Sequence, residues 1–213
     1  MSKSAFTPML VLAALAGLAG CGDDTTPAAT DAGITVDLGG DVDAGGPLSC
    51  TTGATVPTSG FGTREGSKFK PLTLDTCGGD PYAFYNADYC GAKYTILSIA
   101  AGWCNPCRYE TSQLHALQVE YEPRGIRLLQ VMFQDETYHA ASGAYCQAWV
   151  DEYGLTNVEL NDPAQLTQIY FPAGSLPATV IVDNQGTIVF REYGTTDGLA
   201  SLRAKLDQLL ATP

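Results

Sequence analysis

The sequence predicts an α/β domain built on a mixed central sheet flanked by helices, and three segments carry that prediction. Residues 94–99 are short, apolar and β-branched, the pattern of a buried strand, and they run directly towards a pair of cysteines. The pair opens a helix that reads through Arg108 to about residue 122, with Leu114 and Leu117 on its inner face and Pro123 and Gly125 ending it. Residues 126–133 are again nearly continuous in apolar side chains. A strand, a crossover helix and a second strand make parallel neighbours in a covered sheet. The chain closes with strands at 178–183 and 187–193, close enough across Asn184-Gln185-Gly186 to be an antiparallel hairpin, and a last helix at about 199–210.

At 213 residues the chain has room for one ordinary domain with appendages, and 45% apolar residues suit a globular protein better than a membrane bundle. A net charge of -12, with no run of Lys or Arg, repels a phosphate backbone and sets nucleic acid aside as a partner. Residues 1–20 carry one cation, Lys3, before an apolar run at 9–18 that is too short to span a ~30 Å hydrocarbon core as a helix. That is the layout of a signal peptide. It ends in Leu18-Ala19-Gly20-Cys21, which resembles the bacterial lipobox. The resemblance implies that Cys21 becomes the acylated first residue, anchoring the protein to a membrane by lipid. An ordinary secretory signal with an incidental cysteine is the alternative, and either one exports the protein.

Residues 21–62 read as a flexible acidic tether, rich in Asp, Thr, Ala, Gly and Pro and too poor in large apolar side chains to offset the entropy of ordering. Cys50, near its far end, implies that the last part is stapled to the domain. The folded part is expected at 63–213, with an added helix at 137–153 carrying Cys146 and a short one at 163–170. Tyr82, Phe84, Tyr85 and Tyr89 are expected to pack a hairpin onto the core, with a partner surface as the lesser reading.

The chemistry is expected at Trp103-Cys104-Asn105-Pro106-Cys107. A strand that delivers the first cysteine to a helix N-terminus places its sulfur among unpaired N–H groups and the positive end of the helix dipole, which lowers a thiol pKa from ~8.5 towards neutrality. Cys104 is the predicted nucleophile. Cys107 comes round within reach of the same sulfur and resolves a mixed disulfide by attacking Cys104. Pro106 suits an early helical position, where its missing N–H would have been unpaired. Half of a zinc site is the competing reading, but there is no second Cys-x-x-Cys and His115 and His139 fall on different predicted elements, so neither metal nor cofactor is expected.

Trp103-Cys104-Asn105-Pro106-Cys107-Arg108-Tyr109-Glu110 resembles the Trp-Cys-x-Pro-Cys-Arg-x-Glu signature of TlpA-like thioredoxins, membrane-tethered thiol-disulfide proteins of bacterial envelopes. Ser175-Leu176-Pro177-Ala178-Thr179 is similar to that family's cis-proline segment, so the resemblance covers about residues 65–210. It implies a thioredoxin-like fold with an inserted helix and an N-terminal extension. It further implies that Pro177 is cis and presents the backbone of Leu176 to an extended substrate beside Cys104, with Trp103 shielding the dithiol. Glu110 matches the acid that moves the resolving thiol's proton, although a solvated helix carboxylate explains it about as well. Three departures stand out: Ser98 occupies the position of the buried Asp of thioredoxins proper, Ser112 replaces a helix-kinking Pro, and Ala100-Ala101-Gly102 leaves the wall beside Trp103 more open.

Of seven cysteines, Cys21 is assigned to lipid and Cys104 to Cys107, leaving Cys50, Cys77, Cys90 and Cys146 for two structural disulfides with three possible connectivities. The short turn-like stretch between Cys77 and Cys90 favours their pairing, and Cys50 with Cys146 follows. The expected function is disulfide exchange with envelope proteins on the outer face of the inner membrane or at the outer membrane, as reductant or isomerase, recharged by a membrane-side redox partner. Two other readings are a scaffold lipoprotein with an inert disulfide and, more weakly, a copper-delivery protein.

Overall fold

A computed structural model describes residue 50 and residues 53–194 and 196–211. The signal segment, Cys21 and most of the tether lie outside the described residues. The sheet has seven strands: β1 Thr73–Thr76, β2 Pro81–Ala83, β3 Tyr94–Ala101, β4 Ile126–Gln134, β5 Val158–Asn161, β6 Ala178–Asp183 and β7 Ile188–Tyr193. Their spatial order is β2-β1-β5-β4-β3-β6-β7, with β3, β4 and β5 mutually parallel and the β1–β2, β1–β5, β3–β6 and β6–β7 pairs antiparallel. The helices are α1 Ala87–Gly91, α2 Asn105–Tyr121, α3 Gly143–Tyr153 and α4 Ala200–Ala211. This is the thioredoxin-like fold that the sequence predicts.

The steps from β3 to β4 and from β4 to β5 run the same way along the sheet. Two right-handed crossovers in one direction put α2 and α3 on the same face. An ion pair from Arg108 to Glu152 and the Arg108 guanidinium over the Trp149 ring, 5.1 Å from its centroid, join the two helices there. On α2, Cys107, Glu110, Thr111, Leu114, Leu117 and Tyr121 recur at helical spacing and are all buried, so one stripe of the helix faces the sheet. The α2 helix runs unbroken through Ser112, whose hydroxyl donates to Tyr109 O at 2.7 Å. Phe84, Tyr85 and Tyr89 are buried in an aromatic cluster with Phe69 and Tyr170, consistent with core packing.

Four expectations need correction. The helix expected at 137–153 begins at Gly143, because Ser142 Oγ caps it by accepting from Tyr145 N–H at 3.1 Å. The helix expected at 163–170 is a short 3-10 turn, Leu166–Tyr170. Residues 53–62, assigned to the tether, lie on the domain: Ala54 is buried and Thr55 N–H donates to Asn184 O at 2.8 Å.

The fourth correction is the disulfide map: Cys50 pairs with Cys90 and Cys77 with Cys146. Short sequence separation was the wrong guide, because β2 and α1 intervene and carry Cys90 away from Cys77. Cys77 instead follows β1 against β5, where its N–H donates to Glu159 O at 3.1 Å. The α3 helix covers the same strand and brings Cys146 Sγ within 3.6 Å of Leu160 O. Cys90 meets Cys50 because the residues after Cys50 run past α1, where the Tyr89 hydroxyl donates to Thr55 O at 2.9 Å.

Candidate active site

The central strand β3 ends at Ala101, and three residues later Cys104 is the N-cap of α2. Its sulfur accepts the Cys107 N–H at 3.2 Å, taking one of the donors that a helix N-terminus leaves unpaired. Cys104 and Cys107 are joined as a disulfide and are 2% and 1% exposed, so the oxidised pair is closed off from solvent. Pro106 lies in the first turn, where it costs no hydrogen bond.

The other expected site residues gather at this end of the sheet. Ala178, the first residue of β6, pairs with Ile99 near the end of β3, so Leu176 and Pro177 precede β6 on the side where Cys104 follows β3. The Leu176-Pro177 bond is cis, Leu176 is buried, and the Pro177 carbonyl is held by Gly194 N–H at 2.8 Å. Trp103 is half-buried and donates from Nε1 to Gln134 Oε1 at 3.0 Å. Glu110 is 3% exposed on the inner stripe of α2, one turn beyond Cys107, which removes the reading of a solvated helix carboxylate. Its neighbour Thr111 accepts at Oγ1 from Gln130 Nε2 of β4 at 2.8 Å. Cys50, Cys77, Cys90 and Cys146 lie away from the pair in their own disulfides, and Cys21 is outside the described residues.

The wall beside Trp103 is not open. A β-carbon at Gly102 would overlap the Tyr145 hydroxyl from α3 and the backbone of Glu136. Burial, and then its bond with Glu136, push the Tyr145 hydroxyl pKa up to about 12, so it stays protonated. Arg108 closes the same loop from below, donating from Nε to Gly102 O at 2.9 Å. Tyr138 stacks on Trp103 with centroids 5.0 Å apart and planes 17° apart. Sequence reading missed Gln134, Tyr138 and Tyr145. Gln134 directly follows the strand read at 126–133, whose end lies on the side of the Cys pair, and was within reach of inference. The two tyrosines come from a loop and a helix whose positions depend on the inserted segment.

Glu159 of β5 was also missed. Burial pushes its carboxyl pKa to about 8, only partly opposed by a 2.5 Å bond from Asn157 Nδ2, and its Oε2 has no hydrogen-bond partner.

Residues 64–210 match the Redoxin family. The thioredoxin-like protein YneN of Bacillus subtilis is 31% identical over 134 residues, which cover 63% of this chain and 74% of that protein. The thiol:disulfide interchange protein HelX of Rhodobacter capsulatus is 28% identical over 149 residues, covering 68% of this chain and 77% of the relative. Among solved structures, a putative thiol:disulfide interchange protein DsbE from Chlorobium tepidum superposes with a TM-score of 0.58 at 17% identity, over 70% of this chain and 99% of that one. That last likeness carries the fold alone.

Proposed function

The chain belongs to the Redoxin family and is a TlpA-like thiol-disulfide oxidoreductase, and from that premise we propose that Cys104 is the nucleophile and Cys107 the resolving thiol of an exported enzyme that reduces or isomerises protein disulfides. The observation that carries this reading is the Cys104 sulfur at the α2 N-cap, accepting Cys107 N–H while disulfide-bonded to Cys107. In the reduced enzyme the same N–H and the helix dipole favour a Cys104 thiolate.

The thiolate attacks one sulfur of a substrate disulfide, forming a mixed disulfide and releasing the other substrate sulfur as a thiolate. Cys107 then loses its proton and attacks Cys104 Sγ, releasing the second substrate sulfur. The substrate gains two electrons and two protons, and the enzyme pair becomes the disulfide seen here. Glu110, buried one turn from Cys107, takes the Cys107 proton. Trp103, Leu176 and Pro177 contact the substrate chain around Cys104. Lipid on Cys21 holds the domain to the cell envelope, with residues up to about 50 as tether, and a membrane-side partner returns electrons to the pair.

The reduction potential of the Cys104/Cys107 couple decides direction. A value well below about -200 mV supports a reductant, whereas one near about -120 mV would make the protein an oxidant. Alkylation of the reduced protein tests the nucleophile. If Cys104 shows no selective reactivity near pH 7, the catalytic assignment fails. For the anchor, Cys21→Ala should move the protein from the membrane to the soluble fraction, and unchanged partitioning would remove the lipid.

A further inference from the structure

The turn between β4 and α3 is built around one carboxylate. Asp135 accepts from Thr137 N–H and Thr137 Oγ1, both at 2.8 Å, and from His139 N–H at 3.0 Å. Asp135 N–H donates in turn to His139 O at 2.9 Å, and Gln134 forms an antiparallel bridge with Ala140. These bonds hold Tyr138 at φ 67°, a left-handed conformation that glycine takes freely and a β-carbon opposes. The position nevertheless carries one of the largest side chains, and it is spent outward: Tyr138 is 65% exposed. One face of its ring lies on Trp103, while most of the residue's surface stays in solvent. Trp103 is held at its Nε1 edge by Gln134, the residue at which this turn begins.

We propose that Tyr138 and Trp103 form an aromatic plate that selects the residue flanking the substrate's reactive cysteine, favouring aromatic and large apolar side chains. Trp103 is covalently next to Cys104, so a residue adjacent to a cysteine bonded to Cys104 Sγ lands within one residue's reach of the stack. Tyr138 is then a specificity residue for the exchange reaction, supplied by the turn and not by the strand-to-helix segment that holds the cysteines. The inference rests on the assignment of Cys104 as nucleophile.

The test uses two cystine-bridged peptides that differ only in Phe or Ser beside the reactive cysteine, with hydroxyethyl disulfide as a side-chain-free disulfide. Oxidation of the reduced full-length protein is followed by tryptophan fluorescence. Each peptide rate is divided by the same variant's rate with hydroxyethyl disulfide, so a general loss of reactivity cancels. The wild type should prefer the Phe peptide between about two- and tenfold, the range of one aromatic pair contact. In Tyr138→Gly, which keeps the left-handed backbone, the ratio should fall towards one, and Tyr138→Phe should restore it. An equal wild-type rate for both peptides, or a preference that survives in Tyr138→Gly, overturns the plate. A wild type that reacts with neither peptide nor hydroxyethyl disulfide removes the nucleophile assignment itself, and the plate with it.

Discussion

Two disulfides in this molecule look alike by distance and burial and differ in what surrounds the sulfur. Cys104–Cys107 and Cys77–Cys146 both have Cα atoms 5.2 Å apart, and all four residues are buried. Cys104 is met by an N–H donor at a helix terminus. Cys146 lies inside α3, with the Leu160 carbonyl oxygen 3.6 Å from its sulfur. A donor stabilises a departing thiolate and an acceptor opposes it. Under the proposed assignment, the polar groups facing the sulfur separate an exchangeable bond from a structural one, a distinction that burial does not make.

The largest contrast is in activity. Cys104→Ser should reduce disulfide exchange to background, at least about 10⁴-fold, since a serine hydroxyl at the N-cap stays protonated near pH 7 and forms no mixed disulfide. The Cys77→Ser/Cys146→Ser double variant should retain exchange with a peptide disulfide. If it lost activity while remaining folded, the separation between a working bond and a structural one would be broken.

Stability should run the other way. The sequence separations are 3 for Cys104–Cys107 and 69 for Cys77–Cys146. In the loop-entropy account these closures constrain the unfolded chain by about 2 and about 4 kcal/mol. Denaturant unfolding of Cys104→Ser/Cys107→Ser and of Cys77→Ser/Cys146→Ser should show the second pair losing about twice as much. Equal losses would mean that the unfolded chain, or local strain, decides the outcome.

A third effect sharpens the contrast from the stapled side, where the Glu159 carbonyl holds Cys77 N–H and the Glu159 carboxyl is buried. The carboxyl pKa is raised from 4.5 to about 8, so between those values the folded state binds more protons than the unfolded one. Stability therefore falls as pH rises through this window, by about 3 kcal/mol at pH 7 relative to acid, and levels off above about pH 8. Glu159→Gln should stabilise the protein at pH 7 and above and change little near pH 4.5. A gain that is the same at both pH values would trace to packing and not to the proton.

The same division between near and distant causes explains what the sequence made legible. The strand into Cys104, the N-cap, the α2 stripe and the β6–β7 hairpin all depend on neighbours a few residues away, and their periodicity and caps are visible in one dimension. The short strands β1, β2 and β5 are held by long-range pairing such as Thr76 with Leu160, and Thr73–Thr76 holds only one buried apolar residue to mark it. The disulfide connectivity depends on that same register, so counting cysteines left it open. At the site, the cysteine pair was readable from spacing, and Glu110 entered only through the resemblance of the segment around it. Tyr138 was not, because its orientation comes from the Asp135 turn, and Tyr145 was not, because it arrives with α3.

The smallest predicted effect concerns α3, which carries one of the two bonds and packs against the loop leading into the other. The α3 helix carries Cys146 of the staple, and also Tyr145 against Gly102 and Trp149 beneath Arg108. Its ion pair from Glu152 to Arg108, at 3.7 Å between partly exposed groups, is of a kind that contributes at most about 1 kcal/mol. The Arg108 Nε bond to Gly102 O and the packing on Trp149 do not require the disulfide. The active-site loop should therefore keep its position when the staple is removed. In Cys77→Ser/Cys146→Ser the potential of the Cys104/Cys107 couple should move by less than about 30 mV, equivalent to 1.4 kcal/mol for two electrons. A larger shift would show that α3 transmits the state of one disulfide to the other. The polar surroundings of Cys104 would then depend on a bond closed beside β5, two strands away from β3.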